Sequence, residues 1–220
     1  MIKCFIFDLD GTLLNTLDTI RLYLNKMLKN NGLGEISLED CRAFVGDGAR
    51  NLVVRALLAN GVEDGERVDK LTEEYVKGYN ADPYYLTDLY DGVSDMIAEL
   101  LRRGYTLAIL SNKPDSSVRP IIERFLPGAF CAVRGARPGE ALKPNPDSTL
   151  SLLRELGVGI DECAFVGDTG IDISTAKAAS LRLSVGVSWG FRDRVELSEA
   201  GADIIVDSAK EFISEVLPRA

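Results

Sequence analysis

Ile2-Lys3-Cys4-Phe5-Ile6-Phe7-Asp8-Leu9-Asp10-Gly11-Thr12 is an apolar run that ends abruptly on two aspartates and a glycine. An unbroken apolar run of this length suits a strand buried on both faces, with the aspartates just beyond its carboxyl end. Similar short apolar segments recur at 106–110, 131–133, 163–166, 183–187 and 203–206. Helix-like stretches lie between most of them: 92–103 closed by Gly104, 146–156 closed by Gly157, 171–179 and 208–216. Strands alternating with helices predict an α/β fold with a parallel, doubly wound sheet.

Residues 16–83 break that rhythm. No strand pattern occurs there, whereas Ile20, Leu24, Met27 and Leu28 follow helical spacing and predict an amphipathic helix over 16–30. Ser37-Leu38-Glu39-Asp40 reads as a capping box opening a second, short helix. Two more helices are expected at 51–60 and 66–80, the latter carrying Val68, Leu71, Tyr75 and Tyr79 along one side. The reading is an all-helical module inserted directly after the first strand, with Pro83 and the Tyr-rich stretch to Tyr90 as the return.

Composition removes whole classes of chemistry. The 220 residues include no histidine, which excludes Ser-His-Asp and Cys-His catalysis and imidazole metal sites. Acid–base work must then fall to carboxylates, Lys, Tyr or Cys. The four cysteines, Cys4, Cys41, Cys131 and Cys163, form no C-x-x-C pair, so neither a zinc site nor a dithiol motif is expected. A formal net charge of −9, with dispersed Lys and Arg, argues against nucleic acid or an anionic membrane as partner. The opening residues do not read as a leader, and no apolar run approaches a membrane span. The expectation is a cytoplasmic protein with reduced thiols, and nothing in the sequence demands more than a monomer or weak dimer.

In a doubly wound sheet, ligands collect beyond the carboxyl ends of the strands. Asp8 and Asp10 follow the first strand there, Ser111-Asn112-Lys113 the second, and Gly167-Asp168 with Asp172 the fourth. Lys143 precedes a helix in the loop between the third and fourth. Taken singly, each has a plainer explanation: a hairpin turn at Asp10-Gly11, a turn at 111–114, a helix cap at 167–170, a solvated loop lysine. Gly46-Asp47-Gly48 is too short to be a dinucleotide or phosphate loop. Together, converging carboxylates require a cation to neutralise them, and oxygen-only ligands point to a hard ion, Mg²⁺. Such an ion beside a lysine and a hydroxyl makes a phosphate site.

That conjunction resembles the haloacid dehalogenase superfamily of aspartate-nucleophile phosphatases, and the resemblance covers nearly the whole chain. Asp8-Leu9-Asp10-Gly11-Thr12-Leu13 is similar to its first motif, Ser111-Asn112-Lys113 to its second, Lys143-Pro144 to its third, and Gly167-Asp168-Thr169 with Asp172 to its fourth. The resemblance implies a Rossmann-like core of residues 1–15 and 84–220 and a type-1 helical cap of residues 16–83. Phe44-Val45-Gly46-Asp47-Gly48-Ala49-Arg50 and Val187-Ser188-Trp189-Gly190-Phe191-Arg192 most resemble the phosphoglycolate phosphatase branch. Asn15 stands where many relatives carry Asp, which should alter the cap hinge and spare the chemistry. Ser180 replaces a frequent glycine.

By that resemblance, Asp8 is the nucleophile, Asp10 the acid–base group, and Lys143 a charge-neutralising partner. Mg²⁺ is expected on Asp8, the Asp10 carbonyl, Asp168 and Asp172, the last directly or through water. Thr12, Ser111 and Asn112 are expected at the substrate in the core. In the cap, Gly46 and Arg50 are expected to meet a small phosphorylated metabolite, Arg50 through a substrate carboxylate. Asp10, two residues after the nucleophile, marks phosphoryl transfer over dehalogenation. A related phosphosugar mutase would need a cap histidine that this chain lacks, and a phosphonate hydrolase a cap lysine. Lys26 and Lys29 sit off the apolar face of their helix. A pyrophosphatase, a nucleotidase and a non-catalytic binding protein are the remaining readings.

Overall fold

The computed structural model describes residues 1–219. Strand β1 (Cys4–Phe7) passes through the two-residue β2 (Leu14–Asn15) into four helices, α1 (Leu17–Asn30), α2 (Leu38–Phe44), α3 (Ala49–Ala59) and α4 (Gly65–Ala81). The chain returns through β3 (Asp88–Leu89) and then alternates: α5 (Val93–Arg102), β4 (Thr106–Pro114), α6 (Asp115–Phe125), β5 (Ala132–Ala136), α7 (Asp147–Leu156), β6 (Cys163–Gly167), α8 (Gly170–Ala178), β7 (Leu183–Val187), α9 (Arg194–Glu199) and β8 (Ile204–Val206). A helical turn at Ala209–Glu211 runs on as a π-helix over Phe212–Val216. None of the described helices is long and apolar enough to cross a membrane.

Six strands form one sheet in the order β5-β4-β1-β6-β7-β8, every neighbouring pair parallel. Strand β1 lies between β4 and β6, and the apolar run of its sequence is explained by burial on both faces. Phe5 and Phe7 enter the larger core with Leu107, Ile109, Val166 and Phe212. Cys4 and Ile6 point into a smaller one with Ala108, Leu152, Cys163 and Phe165. The strand order reverses around β1, so the crevice that binds ligands in such sheets opens beyond its carboxyl end.

Helices α1 to α4 pack through Leu24, Met27 and Leu28 against Val53, Ala56, Leu57, Leu71, Tyr75 and Tyr79, with no strand among them. Ser37 and Asp40 make the expected capping box at α2. The antiparallel pair β2–β3, with Leu14 opposite Leu89 and Asn15 opposite Asp88, ties the two crossings of the chain together beneath these helices. Asn15 thus lies in that ribbon.

Several details differ from the sequence-based expectation, among them helix α9 and the β2–β3 ribbon, which the sequence pattern does not announce. Residues 111–114 continue strand β4, with a register shift between Leu110 and Pro114, and are not a turn. Helix α6 was not anticipated because Pro114 and Pro120 punctuate its sequence, yet Val118, Ile121 and Ile122 bury one of its sides. The expected helix over 208–216 divides into an α turn and a π-helix.

Candidate active site

The site begins where β1 runs out. The Asp8 N–H donates to the Val166 carbonyl at 2.9 Å, a last parallel ladder contact before the chain turns. The Leu9 carbonyl then accepts from the N–H groups of Leu13 at 3.0 Å and Leu14 at 3.2 Å. That turn puts Gly11 at φ +82, and a Cβ there would run into the Asp168 carboxylate. A Cβ at Gly190 would strike Asp168 and the Gly11 carbonyl. Two glycines from distant parts of the chain therefore let backbone close around one buried carboxylate.

Asp168 is fully buried at the end of β6. Its Oδ1 accepts from the Thr12 hydroxyl at 2.8 Å and its Oδ2 from the Phe191 N–H at 2.8 Å. Asp172 sits in the first turn of α8, where its Oδ2 accepts from the Thr169 N–H and hydroxyl and its Oδ1 from Lys143 Nζ at 2.7 Å. Lys143 Nζ also lies 3.0 Å from Asp8 Oδ1. Asn112 holds the Lys143 loop in place by accepting its N–H at 2.8 Å and donating to its carbonyl at 3.0 Å.

These groups form one electrostatic unit. Carboxylate oxygens of Asp8, Asp168 and Asp172 all lie within 4.8 Å of one another. Burial pushes the Asp8 carboxyl up to about 6 against the pull of Lys143. Burial, then the Asp172 and Asp8 charges, hold Asp168 well above the carboxylate range. Burial alone would lower Lys143, but its contacts with Asp172 and Asp8 outweigh that and hold it raised. Three buried carboxylates against one ammonium leave an excess of negative charge out of water, a costly arrangement. Asp8 Oδ1 is also buried, and the Lys143 ammonium 3.0 Å away is not aligned to hydrogen-bond it. A hard divalent cation fits this all-oxygen donor set and satisfies both deficits.

Asp10 stands at the mouth. Its carboxylate accepts from the Thr16 hydroxyl at 2.7 Å and from Lys113 Nζ at 3.0 and 3.1 Å. Above it lies a cavity of about 610 Å³ including its open side, walled by Asp8, Asp10, Ser111 and Asn112 below and by Val45, Gly46, Ala49, Leu52, Tyr75 and Tyr79 from the helices.

The structure brings Asp8, Asp10, Ser111, Asn112, Lys143, Asp168 and Asp172 together, with Gly46 on the opposite wall, its carbonyl accepting from Asn112 at 3.1 Å. It places two other residues elsewhere. Thr12 spends its hydroxyl on Asp168, and its carbonyl accepts from Trp189 Nε1, so it orients Asp168 and does not face the cavity. Arg50 points to solvent, paired with Asp69 at 2.8 Å, and does not line the cavity. Arg55 instead forks onto Asp47 at 2.6 and 2.5 Å, bracing the loop before α3. Sequence reasoning missed Lys113, Tyr75 and Tyr79 as cavity residues. Lys113 lies in the Ser111-Asn112-Lys113 motif, and the two tyrosines lie on the apolar side of α4, where no sequence signal separates a core side chain from a cavity wall.

Comparison with known proteins agrees with this geometry. Residues 5–185 match the model of the haloacid dehalogenase-like hydrolases. The chain belongs to that family. It is 30% identical over 217 residues to phosphoglycolate phosphatase 1 of Pseudomonas aeruginosa, covering 96% of this chain and 78% of that one. Among solved structures, a candidate phosphoglycolate phosphatase from Lactobacillus delbrueckii superposes with a TM-score of 0.87 at 32% identity over 96% of both chains. CbbY from Rhodobacter sphaeroides, solved in complex with phosphate, does so with a TM-score of 0.82 at 26% identity over 96% of both chains. The chain is thus a phosphatase-type member of this hydrolase family.

Proposed function

We propose that this enzyme hydrolyses a small phosphomonoester through a phosphorylated Asp8. Residues 1–15 and 84–220 then act as the catalytic core, and residues 16–83 as a cap over the leaving group. The observation that supports this most directly is Asp8 at the cavity floor, facing Lys143, with Asp10 two residues on at the mouth. An Asp8 oxygen attacks phosphorus, the P–O ester bond breaks, and the departing oxygen takes a proton from Asp10. Asp10, now a carboxylate, takes a proton from water as the water oxygen attacks the phosphorylated Asp8. The P–O bond to Asp8 breaks and inorganic phosphate leaves.

Asp8, Asp168 and Asp172, with the Asp10 carbonyl, would hold Mg²⁺. Bound there, it supplies charge neutralisation and orientation of the phosphoryl oxygens. Lys143 offsets charge on Asp8, and Ser111 offers a hydroxyl to the phosphoryl group. Thr12, Thr169 and the Phe191 N–H keep the two deeper carboxylates fixed, so little reorganisation is needed at the moment of transfer. The relatives named phosphoglycolate phosphatase support a small phosphorylated acid as the substrate.

The test is turnover of p-nitrophenyl phosphate with and without Mg²⁺, alongside inhibition by beryllium fluoride, which imitates a phosphoryl group on Asp8. Mg²⁺-dependent release of phosphate, blocked by the fluoride, is the expected result. Indifference to the fluoride at millimolar Mg²⁺ would count against a phosphorylated aspartate.

A further inference from the structure

The cavity wall poses a problem for any acidic substrate. The residues that line the cavity from the four inserted helices and their connections include Ile20, Val45, Ala49, Leu52, Tyr75 and Tyr79, and none of them is cationic. Lys143 is committed to Asp8 and Asp172 beneath the cavity. Arg50 and Arg55 are held by Asp69 and Asp47 and do not line it. A carboxylate entering such a space loses its water and must recover the cost from a charged donor.

One such donor is present. Lys113 is the only lysine or arginine lining the cavity among the described residues. Its side chain is 6% exposed, Asp10 is its only hydrogen-bond acceptor among those residues, and its ammonium stands 4.1 Å from the centre of the Tyr79 ring. An ammonium carries three hydrogens, and Asp10 leaves it capacity for a further acceptor. Because Asp10 serves the leaving oxygen, a group held by Lys113 lies within a bond or two of that oxygen.

The geometry points to Lys113 as the residue that selects the substrate. It binds a single carboxylate carried on the carbon next to the ester oxygen, while the apolar wall limits what else the leaving group contains. This deepens the phosphomonoester reading and rests on it. Selectivity is then set from the end of β4, with no cation supplied by the helices. Lys113 anchors the anion and orients Asp10 at the same time, so a carboxylate at the right distance docks beside the acid–base group.

The test separates binding from turnover. In the Asp8→Asn protein with Mg²⁺, 2-phosphoglycolate and ethyl phosphate are titrated by calorimetry. The second keeps the size and the phosphoryl group of the first and lacks its carboxylate. Adding Lys113→Met should weaken phosphoglycolate about thirtyfold, the scale of one charge-assisted hydrogen bond, and change ethyl phosphate less than about threefold. Lys113→Gln, which keeps a donor but not the charge, should lose the same preference. Equal weakening of both ligands, no weakening of either, or recovery of the preference by Gln would overturn the assignment. Failure of Asp8→Asn to bind either ligand, with no turnover of p-nitrophenyl phosphate by the unsubstituted enzyme, would instead overturn the phosphomonoester reading from which the assignment is built.

Discussion

Asp8 and Arg50 mark the two extremes of what one side chain decides in this protein. Asp8→Asn keeps the shape of the proposed nucleophile but removes the carboxylate that would attack phosphorus, so turnover should fall by at least about ten-thousandfold while the fold persists. Full activity in protein verified free of deamidation would falsify the covalent route. Arg50 sits on the outer side of α3 in an exposed pair with Asp69. Such pairs contribute little. Arg50→Ala should therefore leave KM for phosphoglycolate within about threefold of the parent value, measured by steady-state kinetics. A third residue carries strain: Ser180 follows α8 at φ +53, with the Leu181 N–H returning to Ala176 as in a glycine-terminated helix. Ser180→Gly should raise stability by about 1 kcal/mol and the melting temperature by roughly 2–4 °C in calorimetry. An unchanged or lower midpoint would show that the serine compensates for its backbone.

Elements matter here chiefly through their ends. The carboxyl ends of β1, β4 and β6 deliver Asp8, Ser111 and Asp168, and the first turn of α8 delivers Asp172. Helix α6, which follows β4 directly, buries Val118, Ile121 and Ile122 and so anchors the strand end that carries Lys113. Helix α2 is tied to the core from its own last turn. Arg192, beyond β7, donates to the carbonyls of Arg42 at 2.5 Å and Val45 at 3.0 Å, where a helix leaves acceptors unfilled and favours a cation. Arg192→Ala should raise amide hydrogen exchange in α2 about tenfold while leaving β1 protected. Unaltered exchange would show that the β2–β3 ribbon and apolar packing hold α2 without it.

At the scale of the whole molecule, the six-stranded sheet concentrates negative charge at one point. Three buried carboxylates face one lysine, so the folded state should bind a divalent cation that the unfolded chain does not. Mg²⁺ at about a hundredfold excess over its Kd should add about 2.7 kcal/mol, visible as a rise in melting temperature that EDTA reverses and Asp8→Asn diminishes. No shift on adding Mg²⁺ would place the ion elsewhere or nowhere. Much of this was legible in the chain: an apolar run ending in Asp8-Leu9-Asp10-Gly11-Thr12 specifies a buried strand, and alternation specifies a parallel sheet whose strand ends share one edge. Asp8, Asp168 and Asp172 were expected to converge for that reason, and the absence of histidine left acid–base work to carboxylates, Lys, Tyr or Cys. The direction of side chains across the cavity was not legible, because it depends on how elements distant in sequence pack. Successive residues on a helix are turned by about 100°, so Ala49 and Leu52 face inward while Arg50 between them does not. Thr12 turns to Asp168 because Gly11 and Gly190 let that carboxylate approach. Lys113 becomes the cavity's cation because β4 extends past its expected end. Sequence periodicity placed the carboxylates at one edge of the sheet; which cation lines the cavity was decided by tertiary packing alone.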